Sequence, residues 1–381
     1  MKKFEKYAAN ISNSNWDKLT KRQKPLYKRA LDVRSDFERD YTRVIHSTAY
    51  RRLKHKTQVF FSPENDHICT RIEHVTHVES ISYTIANYLG LNTELTKAIS
   101  VAHDLGHSPF GHQGEHILSD ISKRDLHIPF WHEKNGLELV DSIELLEDAD
   151  RNKQNLNLTY AVRDGIISHC GEIDENGLRP RFDYIDLSTY SHPNQYSPYT
   201  WEACVVKVSD KISYIGRDIE DAITLGILED HLDDLTKLIQ VSSNEKINNT
   251  ILINYFVQNL CENSTPEKGL CFSEDAFELL NKVKKFNYLN IYLADRLKPS
   301  IKYFKLVLNE IYDTLKNYYD GRNTLKSLNS LYNISPKLAA SFIGFVYQYY
   351  DCGNRDDLKL KNDILFAFES EVDYCKCILF Y

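Results

Sequence analysis

The chain lacks any apolar run approaching the roughly 18 residues a membrane-crossing helix needs, so no transmembrane span is expected. Its opening residues, MKKFEKYAANISNSNWDKL, carry lysines with no apolar stretch behind them, and no secretory signal is expected either. Eight cysteines are present, but none forms a CxxC pair, and only Cys375-Lys376-Cys377 brings two close together. That pattern points to reduced thiols in the cytoplasm, and CxC alone is a poor metal signature. Strand-like alternation is scarce, and there is no repeat or low-complexity tract. Positive charge is not in excess: 47 Lys and Arg face 54 Asp and Glu, a net charge of −7. A general nucleic-acid-binding surface does not fit that balance.

What is present is an ordinary globular composition, 42% apolar and 27% charged over 381 residues. That is long enough to bury a sizeable core. The apolar spacing is three and four, the period of helices. Ile72, Val75, Val78, Ile81 and Ile85 share a face, as do Leu95, Ala98, Ile99, Ala102 and Leu105. Leu137, Val140, Ile143 and Leu146 predict a third helix, and Val208, Ile212, Ile215, Ile219 and Ala222 a fourth. Similar spacing continues through Phe304, Leu308, Ile311 and Leu315. The stretch from Gly171 to Tyr199, with three prolines and several tyrosines, reads as a long irregular insertion with room for a short hairpin. The fold expected is all-α. The first 58 residues are locally basic, in KRQKPLYKR and YRRLKHK, which suggests a local anionic partner; the plainer reading is a solvated helix face.

Eight of the fourteen histidines fall between His74 and His132. Neutral imidazole is a good ligand for divalent transition metals. In AHDLGHSPFGHQGE, His103 and Asp104 are adjacent, which suits chelation only near a helix end; Gly106 supplies a plausible break there. His74, one helix earlier, is a natural third ligand. In VVKVSDKISYIGRDIEDA, Asp210, Tyr214 and Asp218 lie four apart on one helix face. His74, His103, Asp104 and Asp210 together suit one ion of Mn, Fe, Co, Ni or Zn, although Asp210 alone would read as a surface carboxylate.

H…HD…D is the ligand pattern of the HD-domain phosphohydrolases. The similarity is closer than that superfamily. RVIHSTAYRRLKHKTQVF, TRIEHVTHV, AHDLGHSPFGHQGE, FWHE, LNLTYAVRDGIISH and VVKVSDKISYIGRDIEDA follow the order seen in deoxynucleotide triphosphohydrolases. The chain most resembles the bacterial dGTP triphosphohydrolase-like branch, from about residue 30 to about residue 230, and more loosely through FNYLNIY. The resemblance implies an HD-domain helical bundle with additional C-terminal helices: one domain over 1–381, with the catalytic core at about 30–230 and a helical region at about 231–381. It implies hydrolysis of dGTP, with other dNTPs as further candidate substrates, at the α-phosphorus to deoxynucleoside and inorganic triphosphate. One divalent ion per subunit would serve, Mg among the candidates. His112 and Glu115 match the acid/base pair. His107 and His132 match further active-site histidines, both candidates for protonating the leaving 5′-oxygen. Arg71 and Lys211 match phosphate-binding groups. Gln58, Tyr214 and Asp218 match the groups that read the deoxyribose, with Tyr214 crowding the 2′ position. A homo-oligomer is expected, with a nucleotide activator and single-stranded nucleic acid as further candidate partners.

Some residues stand outside this pattern. His77 and His116 read as surface or supporting groups, His55 and His67 have no role, and Arg51 and Arg52 suit either phosphate or surface ion pairs. Where the bacterial branch shows Asn-His before the aspartate matching Asp218, this chain has Gly216-Arg217; where it often has His-Asn, this chain has His132-Glu133. Another HD-family nucleotide hydrolase, or a nucleotide-sensing or single-strand-binding protein with little turnover, would share much of the sequence.

Overall fold

The computed structural model describes residues 2–26, 32–60, 65, 67–169, 176–239, 249–351 and 353–381. After a short α1 (Trp16–Leu19) come α2 (Asp36–His46), α3 (Thr48–Arg52), α4 (Arg71–Leu89) and α5 (Thr93–Ala102). Then follow α6 (Gly111–Asp125), α7 (His132–Glu138), α8 (Tyr160–Ser168) and the long α9 (Trp201–Thr224). The remainder is α10 (Leu232–Ile239), α11 (Asn249–Asn263), α12 (Glu274–Asn287), α13 (Lys298–Lys316), α14 (Thr324–Asn329), α15 (Pro336–Tyr349) and α16 (Glu371–Phe380). The fold is all-α, as expected. No helix among the described residues is long and apolar enough to cross a membrane.

Local chemistry sets the helix starts near the site. Thr70 opens α4 with a capping box: Glu73 Oε2 accepts the Thr70 backbone N–H at 2.7 Å. Asn92 caps α5 by accepting the N–H groups of Glu94 and Leu95. α4 is then buried on two sides. Val75 and Val78 join Leu95 and Ile99 of α5 in one apolar cluster, while Ile81 and Ile85 join Val208, Ile212 and Ile215 of α9 in another. Each such buried aliphatic side chain contributes roughly 1.5–3 kcal/mol. A third cluster, built by α6 and α13 to α16, includes Phe304, Leu315 and Phe342.

Three expectations change. The third helix is shorter: α7 runs into a wide turn at Leu139–Ile143, and Leu146 lies in a strand. That strand, β1 (Leu145–Glu147), pairs antiparallel with β2 (Lys153–Asn155), so the hairpin precedes α8. The insertion holds no strand among its described residues, only a bridge from Leu178 to Leu270 and a turn at Leu187–Thr189. Its first part, 171–175, lies outside the described residues. Finally, much of the basic N-terminal segment is spent internally. Arg22 meets Asp40 at 2.5 Å, Arg43 donates to the Leu156 carbonyl at 2.6 Å, and Arg52 pairs with Glu144 at 2.6 Å. Arg51 donates to the carbonyls of His46 and Ser47. Within KRQKPLYKR, residues 27–29 lie outside the described residues.

Candidate active site

The predicted metal ligands meet where α4, α5 and α9 cross. His74 stands in the first turns of α4, His103 caps the C-terminus of α5, and Asp210 lies midway along α9. Donor atoms of His74, His103 and Asp210 lie within 4.8 Å of one another; Asp104 forms a second such group with His103 and His169. His74 Nε2 is 2.9 Å from Asp210 Oδ1, and His103 Nε2 is 3.6 Å from Asp104 Oδ1 and 3.8 Å from Asp210 Oδ1. His103 Nδ1 is 2.6 Å from the Ser100 carbonyl oxygen. A carbonyl only accepts, so Nδ1 carries the proton and Nε2 keeps its lone pair. That Nε2 is buried without a hydrogen-bond partner. An orphaned imidazole lone pair beside two carboxylates and a second imidazole fits a divalent transition ion. Burial opposes charge on Asp210, yet His74 and His103 pull its carboxyl down to about 2. Against the same burial, His107 and Arg71 hold Asp104 well below the usual carboxylate range. Arg71 donates to Asp104 Oδ2 at 2.6 Å, which fixes that carboxylate.

Gly106 acts differently from the expectation. Its backbone is not left-handed. A Cβ there would lie 2.1 Å from both the His132 carbonyl oxygen and the Gly136 nitrogen, so glycine is required for α7 to close against the α5 terminus. The turn is made further on, where Phe110 and Gly111 take φ values of 64° and 56°. Gly114 then lets α6 rest on Pro109, whose carbonyl oxygen would sit 1.7 Å from an added Cβ.

This loop assembles a second cluster beside the first. His132 Nδ1 is 3.0 Å from Glu115 Oε2, and the His132 backbone N–H donates to Glu115 Oε1 at 3.1 Å. His112, largely exposed, has Nδ1 3.9 Å from Glu115 Oε2. Despite burial, His112 and His132 hold Glu115 far below the usual carboxylate range. His107 stacks on His132 with ring centroids 3.9 Å apart and places Nε2 3.2 Å from Asp104 Oδ1. Burial, then Arg71, push His107 well below the usual imidazole range, so its ring is neutral. Lys56 Nζ donates to the His107 carbonyl and pins the loop.

Both clusters border one cavity of about 670 Å³, which Gln58, Arg71, His74, Asp104, His107, His112, His132, Asp210, Lys211, Tyr214 and Asp218 line. His103 lies buried beneath the floor. The expectation missed other lining groups: His169, Lys207, Asn281, Lys284, Lys285, Tyr288 and Tyr292. Lys284, Tyr288 and Tyr292 are four apart, a helical stripe visible in the sequence, and Tyr292 donates its hydroxyl to Asp218 Oδ2. Burial pushes Asp218 up to about 7 even so. His169 ends α8 with Nδ1 2.7 Å from the Ile166 carbonyl, and burial with neighbouring His103 and His132 pulls it down to about 3. His116 also lines the cavity, whereas His55 borders another and His67 and His77 border neither. The Gly216-Arg217 departure has a packing cause. A Cβ on Gly216 would strike Asn249 Oδ1 of α11 at 2.0 Å, and Arg217 reaches the His67 carbonyl and Asp221.

The HD-domain family model matches residues 71–215, the span that carries both histidine clusters. A deoxyguanosinetriphosphate triphosphohydrolase-like protein of Caldanaerobacter subterraneus is 35% identical over 283 residues, covering 74% of this chain and 72% of the relative. One of Desulfatibacillum aliphaticivorans is 34% identical over 295 residues, 76% of each. One of Rickettsia prowazekii is 33% identical over 329 residues, 77% of this chain and 82% of the relative. The chain is a member of the deoxyguanosinetriphosphate triphosphohydrolase-like family of HD-domain hydrolases.

Proposed function

We propose that the chain hydrolyses deoxynucleoside triphosphates, dGTP among them, at the α-phosphorus to release deoxynucleoside and inorganic triphosphate. The observation that carries this reading is that His74, Asp104 and Asp210, with the orphaned His103 Nε2 buried behind them, open on the same cavity as Gln58, Tyr214 and Asp218. His74, His103, Asp104 and Asp210 would hold one divalent ion, Mn, Mg, Fe, Co, Ni or Zn. Bound there, the ion supplies Lewis-acid polarisation of the α-phosphate and a more acidic water. Arg71 and Lys211 neutralise polyphosphate charge as it shifts in the transition state. Glu115 with His112 takes the proton of the attacking water. Gln58 and Asp218 hydrogen-bond the 3′-hydroxyl, and Tyr214 crowds the position a 2′-hydroxyl would occupy, which favours deoxynucleotides.

The reading treats residues 1–381 as one cytoplasmic catalytic unit whose C-terminal helices lend Lys284 and Tyr292 to the cavity, and it includes a homo-oligomer. Incubating purified protein with each dNTP and Mn²⁺, singly and in mixtures, and resolving the products tests it. Triphosphate release is the expected result, and faster turnover in mixtures would reveal a nucleotide activator. Pyrophosphate or single phosphates alone would mean a different HD-family hydrolase. Salt-sensitive single-strand binding with no turnover would mean a nucleic-acid-binding protein.

A further inference from the structure

Two carboxylates converge on one imidazole nitrogen. Glu115 Oε2 is 3.0 Å from Nδ1 of His132, and Glu133 Oε2, from the next residue of α7, is 3.4 Å from that same nitrogen. The Glu133 side chain is only 2% exposed, and its Oε2 has no hydrogen-bond partner. An ionised carboxylate buried in that way is costly unless a cation stands beside it. Glu115 is shared, since the same oxygen also lies 3.9 Å from His112 Nδ1. Among the described residues, His132 Nδ1 is the one imidazole nitrogen within ion-pair distance of Glu133. Among the described residues, groups facing His132 include Glu115 and His112 from α6, His107 and Asp104 from the loop between α5 and α6, His169 from the end of α8, and Glu133 from its own helix. His107 is held differently, with its Nε2 turned to Asp104 and its Nδ1 buried without a partner.

We propose that Glu133 is a positioning residue that, with Glu115, brackets Nδ1 of His132 and holds this ring as an imidazolium, so that His132 and not His107 protonates the leaving 5′-oxygen. The inference deepens the proposed function and rests on it. In the step, the water oxygen bonds to the α-phosphorus and the phosphorus–O5′ bond breaks with its electron pair passing to O5′. O5′ takes the Nε2 proton of His132, and the proton released from the water restores the imidazolium.

Glu133→Gln keeps the shape and removes the charge; Glu133→Asp keeps the charge and draws it back. With dGTP and Mn²⁺, Glu133→Gln is expected to lower kcat at pH 8 about tenfold or more. KM should hardly move, and the alkaline limb of the kcat profile should shift to lower pH. The second measurement needs no turnover: proton NMR of the His132 ring in the Mg²⁺-loaded protein, assigned by its loss in His132→Gln. The expected order of the pH at which His132 loses its proton is wild type highest, Glu133→Asp next, Glu133→Gln lowest. A merely structural Glu133 would lower kcat equally at every pH and leave the ring titration unchanged, and either result overturns the proposal. If Glu133→Gln does not fold, Glu133→Asp against wild type decides, and a titration at or above the wild-type pH overturns it. A wild type that releases no triphosphate refutes the proposed function instead, and the ring titration still judges Glu133.

Discussion

The two histidine clusters that meet at Asp104 differ in what holds the far nitrogen of each ring. His103 and His169 give Nδ1–H to backbone carbonyls, those of Ser100 and Ile166. A carbonyl fixes the tautomer without adding charge, which leaves Nε2 as the nitrogen that can offer a lone pair. His132 sets Nδ1 among carboxylates, from Glu115 and Glu133. A carboxylate favours the protonated ring, which suits a proton donor. On the proposed reading, side chains of one type a few ångströms apart would be divided between holding an ion and moving a proton by the partner behind each ring.

The comparison is most severely tested by removing one ring from each side. His103→Ala should abolish metal retention and lower triphosphate release by about a thousandfold or more, measured as metal content after gel filtration and as product formed. His132→Gln should retain the metal and lower kcat about a hundredfold. Loss of metal from the second variant, or retention by the first, would break the distinction. Gly106→Ala should damage both sides together, because its Cβ meets the His132 carbonyl and the Gly136 nitrogen at 2.1 Å. Forcing that backbone apart is expected to cost about 1–3 kcal/mol, seen as a lower melting temperature together with weaker metal retention.

These residues also mark what the sequence makes legible. The candidate ligands are legible because His74 and Asp210 sit on strongly periodic helices whose faces follow from apolar spacing, and His103 and Asp104 follow directly on the end of a third. The purpose of Gly106 does not, since glycine at a helix end resembles a left-handed stop, and only the approach of α7 gives the true reason. Tyr292 is 74 residues from Asp218, and no local pattern pairs them; only the packing of α12 and the turn Tyr288–Tyr292 after it against α9 does. The basic N-terminal segment shows the same limit. Charge counts read alike whether Arg22 faces an anion in solution or the buried Asp40, and here it faces Asp40. The hairpin at Leu145–Glu147 and Lys153–Asn155 has strands of three residues, too short for a periodic signal.

The mildest effect is expected at Asp218, proposed to meet the sugar, which allows a test by pH. Its carboxyl is pushed up to about 7, chiefly by burial, although the Tyr292 hydroxyl donates to it. The unfolded carboxyl has its ordinary value of 3.8. Below pH 4 both states are protonated and Asp218 has no influence. Between about 4 and about 7 the unfolded chain releases the proton and the folded chain keeps it, so stability falls as pH rises, by at most about 4 kcal/mol, and then levels off. Asp218→Asn keeps an acceptor for Tyr292 and removes this titration. The variant should therefore melt above wild type at pH 8 and with it near pH 4. Its KM for dGTP should be a few-fold higher at pH 8, because an amide oxygen accepts the 3′-hydroxyl less strongly than a carboxylate. In wild type that advantage should fade as pH drops below 7 and Asp218 takes up its proton, whereas the variant's KM should stay flat. A wild-type melting curve that tracks the variant at every pH would mean that Asp218 is already ionised in the folded protein, and the contrast would then lie in the proton-transfer cluster alone.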